Sequence, residues 1–265
     1  MIIVGELINA SRKAVAEAIS KGDADAIAKI ATDQVEAGVQ FVDVNAGVFV
    51  EEEADYLKWL VTVVQDGREC PCCIDSPSVR AIEAALSVHR GTAMINSISL
   101  EKDRYESLLP LVAGTNLKVV ALCMSDEGMP ETTDDRLKIA GKLINGLTQA
   151  NVPVDNIYVD PLVQPLSVNT EFGVAFLEAI ECIMKEFQGV HTMCGLSNIS
   201  FGLPERKVLN QAFAVMAIDR GLDGLIVNPL DRRMMANIIS AEALTGRDQY
   251  CMSYLKAFRA KRFEL

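Results

Sequence analysis

Short apolar or β-branched runs alternate with longer segments of helical periodicity along the whole chain, the pattern left by βαβ units around a parallel sheet. The runs predict strands at about 2–6, 40–45, 72–75, 93–97, 118–124, 156–160, 190–196 and 223–227. Between them, ADAIAKIATDQVEA (24–37) places Ile27, Ile30 and Ala31 on one face and stops before Gly38, a suitable C-terminal residue. In 77–89, Pro77 falls in the first turn after Ser76 as N-cap, and Val79, Ile82 and Leu86 form a stripe. The same spacing predicts helices at 52–65, 101–113, 132–150, 170–187, 206–219 and 231–245, an extra helix at 11–20 and a solvated last helix within 250–265.

Eight strands alternating with helices fit either a closed barrel or an open doubly wound sheet, and periodicity alone does not choose. The strand ends do. Seven of the eight finish on or near a polar group: Glu6, Asp43 with Asn45, Asp75, Asn96, Asp160, Asn198 and Asn228. A barrel gathers those ends at one mouth, where active sites of that fold are built, whereas an open sheet spreads them along an edge. The expected fold is therefore α/β, a (β/α)8 TIM-type barrel in a single domain over 1–265.

Composition narrows the partners. A formal net charge of −11 without a long Lys/Arg run argues against nucleic acid and against an anionic membrane surface, both of which require concentrated positive charge. MIIVGELINASRK reads as a first strand rather than a signal peptide. No apolar run approaches the length that spans a bilayer, so a cytoplasmic protein is expected. Seven cysteines without a disulfide-like spacing imply reduced thiols. Cys70, Cys72 and Cys73 invite a metal reading, but adjacent strand residues point to opposite faces, which favours buried small apolar side chains. No metal is expected.

The chemistry available at the mouth is that of carboxylates and carboxamides. The two histidines, His89 and His191, fall at a helix end and a strand start, away from the mouth, which disfavours His-ligated metal and Ser/His/Asp catalysis. Lys118 opens a strand instead of closing one, so a Schiff-base lysine is missing. No Gly-rich phosphate-binding string is present. What remains suits a planar neutral heterocycle: a carboxylate accepts two N–H bonds from an amino-pyrimidinone edge, and each Asn offers both donors and an acceptor. Asp75, Asn96 and Asp160 could line such a slot; equally, each could cap the helix that follows it.

The strings VDVNAG (42–47), IDS (74–76), INS (95–97), YVDPL (158–162) and GLSN (195–198), in that order and at strand ends, resemble the pterin-binding barrel superfamily. More closely they resemble the methyltetrahydrofolate:corrinoid protein methyltransferases, including those of corrinoid-dependent demethylation systems in one-carbon metabolism. The resemblance runs from GELIN (5–9) to the final helices. It implies that Asp75, Asn96 and Asp160 hold the pterin ring, and that Asn198, supported by Asp160, hydrogen-bonds near N5, the nitrogen that carries the methyl group. Ser197 and Gly195 would shape the same loop, with Asn45 and Glu6 as further mouth residues. Arg206, with Lys207, would meet the anionic glutamate tail of folate or the partner, or simply be solvated helix-start charge.

The implied reaction moves a methyl group between N5 of tetrahydrofolate and the cobalt of cobalamin, a corrinoid carried by a separate corrinoid protein. Tetrahydrofolate or 5-methyltetrahydrofolate is then a substrate, a homodimer is implied, and transfer from methylcorrinoid to tetrahydrofolate is slightly favoured over the reverse. An amide suffices for catalysis because a donor placed where charge develops at N5 lowers the barrier more than one that binds substrate equally throughout. Three alternatives stay open: a pterin-binding or docking subunit without turnover, a dihydropteroate synthase-like enzyme, and an unrelated barrel lyase. Dihydropteroate synthases carry an SRK string on the later loop and a DPG string, where this chain reads SNISFG and DPLVQ; its SRK at 11–13 follows the first strand instead.

Overall fold

The structure, a computed structural model, describes residues 1–263. Eight parallel strands pair in sequence order and close, β8 returning to β1. They are β1 (Ile2–Asn9), β2 (Phe41–Asn45), β3 (Cys72–Asp75), β4 (Met94–Leu100), β5 (Lys118–Ser125), β6 (Ile157–Asp160), β7 (His191–Gly195) and β8 (Gly224–Val227). Around them run α1 (Lys13–Lys21), α2 (Ala24–Ala37), α3 (Glu53–Gln65), α4 (Val79–Leu86), α5 (Lys102–Val112), α6 (Thr133–Gln149), α7 (Glu171–Glu186), α8 (Arg206–Asp219), α9 (Arg232–Leu244) and α10 (Met252–Arg259). The expected barrel, its eight strands and the extra first helix are all present.

Boundaries differ where tertiary contacts override local pattern. β1 runs on to Asn9 and β4 to Leu100, so Glu6 lies within its strand rather than at its end. β7 stops at Gly195, and Leu196–Ser200 forms a 3-10 turn that carries Asn198 out of the sheet. Ser78, not Ser76, caps α4, accepting from Ala81 N; Pro77 stands outside the helix. Ser76 donates instead to Glu53 Oε1 at 2.6 Å.

Two apolar layers follow from strand alternation. One parity, with Val42, Ile74, Ile95, Val119, Val159 and Leu225, packs against the helices. The other fills the barrel with Val4, Phe41, Cys73, Met94, Val120, Tyr158 and Met193. Gly224 makes room there, since a Cβ on it would meet Met193 Cβ at 2.7 Å. Cys70, Cys72 and Cys73 are buried in these layers, as expected of free thiols. At the N-terminal ends of the strands the barrel is floored by polar side chains. His191 stacks on Tyr158 and bonds Asp223 and Asp155 at 2.6 and 3.1 Å, while Lys118 Nζ donates to the Tyr158 hydroxyl at 3.1 Å. Lys118 and both histidines thus lie away from the mouth.

An irregularity in β1 shapes the opposite, C-terminal end. The register with β2 shifts between Gly5 and Ile8. The buried Gln34 of α2 reaches in, its Oε1 accepting from Leu7 N at 3.0 Å. Gly5 permits that reach: a Cβ there would sit 2.3 Å from Gln34 Oε1.

Candidate functional site at the barrel mouth

Above the apolar interior layer the inward positions turn polar, because residues two apart on a strand share a face. On β2, Phe41 is followed inward by Asp43 and Asn45; on β3, Cys73 by Asp75; on β4, Met94 by Asn96; on β6, Tyr158 by Asp160. Asp75 lies in register with Asn96. Asn45 donates Nδ2 to Asp75 Oδ2 at 2.9 Å, and its Oδ1 accepts from Gly47 N. The capping alternative fails for all three predicted ring-binding residues: Ser78 caps α4, β4 runs on past Asn96, and Asp160 Oδ1 accepts from Leu162 N at 2.8 Å, well ahead of α7. Asn228, like Asn45 and Asp160, accepts from the backbone two residues on, here Leu230 N.

Across the mouth, Gly195 joins Asp160 to Asn198. The Asp160 carboxyl accepts from Leu162 N, and the Gly195 N–H on the next strand faces it and favours its charge. A methyl group placed on Gly195 would lie 3.7 Å from Asn198 Nδ2. Asn198 is exposed. Arg206 holds the turn that presents it, donating Nη2 to Ser197 O at 2.6 Å and Nε to Ser200 Oγ at 3.0 Å. Glu6 pairs with Arg12 at 3.1 Å. With Ser197, Arg206, Lys207 and Asn228 these two line a cavity of about 270 Å³ that opens beside the turn.

Burial sets the charges. Burial pushes the Asp160 carboxyl up to about 7, against its two backbone donors and the Arg136 guanidinium. Burial likewise raises Asp75, opposed by the Asn45 hydrogen bond and by Arg104. Glu6 is raised by burial, with Arg12 and Arg206 pulling the other way. Asp43 is driven well above the usual carboxylate range, first by burial and then by the facing Asp75.

Asp43, Arg104 and Arg136 take a part that the sequence reading did not assign them. Arg104 donates to the carbonyls of Ser97, Pro77 and Ser76, tying the segment after β3 to β4 itself. Arg136, fully buried, donates to the carbonyls of Pro161, Glu131 and Thr132 and ties the segments after β5 and β6 together. Both sit inside predicted helices, where nothing local separates them from solvated arginines. Asp43 did have a signal, since it shares a strand face with Asn45.

The chain as a whole has known counterparts. Residues 5–228 match the family model described as pterin binding enzyme. The chain belongs to this family. It is 36% identical over 261 residues to the methylcorrinoid:tetrahydrofolate methyltransferase of Eubacterium limosum, covering 98% of this chain and 96% of that protein. It is 31% identical over 242 residues to the methionine synthase of Mycobacterium tuberculosis, covering 86% of this chain but only 20% of that longer protein. Among solved structures, a dihydropteroate synthase from Coxiella burnetii in complex with pteroic acid superposes with a TM-score of 0.72 at 16% identity, covering 93% of this chain and 94% of that one. A Xanthomonas albilineans dihydropteroate synthase with 7,8-dihydropteroate gives 0.68 at 21% identity, covering 94% and 92%. At those identities the likeness is one of fold. Among the described residues no helix is long and apolar enough to cross a membrane, and no group of three or more His, Cys, Asp or Glu side chains is placed to hold a metal ion.

Proposed function

We propose that the chain is a methyltransferase that moves a methyl group between N5 of tetrahydrofolate and a corrinoid carried by a partner protein, and that it works as a cytoplasmic homodimer. Its nearly full-length similarity to the Eubacterium limosum methyltransferase supports the reaction. The observation that carries the reading is the exposed Asn198 amide, beside Gly195, with the Asp160 carboxyl facing the backbone N–H of the same glycine.

The residues fit a pterin. Asp75, held by Asn45, is the acceptor for the two N–H groups of the amino-pyrimidinone edge, and the Asn96 carboxamide meets the adjoining ring atoms. Asp160 faces the ring from the opposite wall. The corrinoid cobalt, when its protein docks at the mouth, supplies the methyl donor or acceptor. The chain's part is to control charge at N5. Asn198 Nδ2 donates to N5 as its lone pair is released, which matters most in the transition state. Asp160, titrating near 7, holds or gives up a proton close to working pH. Ser197, Gly195 and Arg206 fix the turn that aims Asn198. Glu6 and Arg206 border the side cavity, where Arg206 and Lys207 would receive the anionic tail of the folate. Leu244, Tyr250, Met252, Leu255 and Phe258 are exposed toward the C-terminal end of the chain, apolar side chains of the kind a second copy would cover.

The test is single-turnover absorbance of cobalamin mixed with the protein, from methylcob(III)alamin with tetrahydrofolate and from cob(I)alamin with 5-methyltetrahydrofolate. Interconversion of the two cobalt species in either direction supports the reading and shows which direction is faster. Folate binding with no spectral change, with free cobalamin and with corrinoid protein alike, would leave a pterin-binding subunit without turnover.

A further inference from the structure

We propose that Asp43 is a positioning residue that stores a proton beneath the pterin edge, so that Asp75 alone is the carboxylate meeting the ring. This rests on the pterin reading of the mouth. Asp43 is 3% exposed and stands directly above the apolar barrel layer of Phe41, Cys73 and Met94. Its Oδ1 is buried without a hydrogen-bond partner, and among the described residues it has no ion pair.

The groups facing it come from three strands. Glu6 stands on β1, the Cys73 thiol and Asp75 on β3, and the Asn96 carboxamide on β4. None is a cation. Arg104 acts on Asp75 from the far side, with its N–H groups on the carbonyls of Ser76, Pro77 and Ser97. A charged Asp43 would be a buried anion with an orphaned oxygen and a second carboxylate facing it, the arrangement in which one of two acids stays protonated. Asymmetry says which one. Asp75 is less enclosed, takes the Asn45 Nδ2 hydrogen bond and feels Arg104, all of which favour its charge. Asp43 has no cation near it among the described residues; the Cys73 thiol and the Asn96 carboxamide favour its charge, but burial and the facing Asp75 outweigh them and hold it well above the ordinary range. The proton on Asp43 therefore leaves one negative charge for the two N–H groups of the ring edge, where two would repel each other and draw in a counter-ion.

Infrared spectroscopy of the ligand-free protein at neutral pH reads this directly, through the carbonyl stretch of a protonated carboxyl. An Asp160→Asn background removes the mouth acid whose carboxyl is pushed up to about 7. The band is expected in that parent, is expected to persist with Asp75→Asn, and is expected to vanish with Asp43→Asn. A parent without the band, or a band lost with Asp75→Asn, overturns the proposal; the Asp75→Asn result decides alone should Asp43→Asn fail to fold.

The pH profile of tetrahydrofolate binding gives a second readout, one that a purely structural role would not produce. The acid limb belongs to Asp75, so Asp43→Asn should leave its position in place; displacement to lower pH would show that Asp43 had carried charge. If tetrahydrofolate binds neither protein at any pH, the proposed function falls while the infrared result still decides the state of Asp43.

Discussion

Replacing Asp160 by Asn should trade stability against function, with a pH dependence that the burial of the carboxyl dictates. Asp160 is raised from 3.8 to about 7. The folded chain therefore binds this proton more tightly than the unfolded chain, and stability falls as pH climbs from about 4 to about 7. At higher pH the penalty on the charged form approaches about 4 kcal/mol, and at about pH 5.5 roughly half of it is present. The Asn side chain carries no such charge. Its carboxamide oxygen can still accept from Leu162 N, bonded at 2.8 Å in the parent. Its NH2 would then be turned toward the Gly195 N–H, losing an acceptor at a cost of about 1–3 kcal/mol. Net stability at about pH 5.5 is thus within about 1 kcal/mol of the parent in either direction, whereas at about pH 8.5 the variant should gain by about 1–3 kcal/mol. The robust quantity is the difference between the two, about 2 kcal/mol in favour of the variant at the higher pH. Urea unfolding of both proteins at both pH values measures it, and methyl transfer by the variant should lose the titration near 7. Equal effects at the two pH values, or a variant less stable at pH 8.5 than at pH 5.5 relative to parent, would refute the reasoning.

Other sites give sharper or simpler outcomes. Asn198→Ala should slow methyl transfer by about a hundredfold or more, the usual cost of a lost transition-state donor, while the folate Kd moves little; equal losses in both would count against a transition-state role. Gly5→Ala should cost about 2–4 kcal/mol in urea unfolding, because Gln34 Oε1, 2.3 Å from the new Cβ, must leave the Leu7 N–H it accepts; a loss below about 1 kcal/mol would mean that α2 shifts freely. His191 is raised chiefly by its hydrogen bond to Asp223. The stability of that imidazolium is present below its unfolded pKa of about 6.5 and is lost as pH rises through the raised folded value. His191→Gln should therefore lose more stability in acid than in mild alkali, and the opposite order in thermal melts would rule out the charged pairing.

Most of the barrel was legible in the chain, and the reason is local. Strand and helix periods are written in consecutive residues, so YVD at the end of β6 or AIAKIATDQVEA in α2 announces its element without reference to the rest. Closure was readable one step further, from polar residues recurring at strand ends. The sequence thereby determined the fold class and the membership of Asp75, Asn96 and Asp160 in one mouth. Their charge states, and the partners each would find, were beyond it. That Asn45 clasps Asp75, thirty residues away, depends on strand register. That Asn198 sits on a 3-10 turn rather than in β7 depends on Arg206 gripping the carbonyl of Ser197. Arg104 and Arg136 read as ordinary helix arginines until the loops they bind fold over them. Asp43 becomes a buried acid only when β1, β3 and β4 bring Glu6, Asp75 and Asn96 around it and no cation with them. Periodicity is a property of neighbours along the chain, whereas burial and pairing, which set protonation, arise between segments that only the closed barrel brings together.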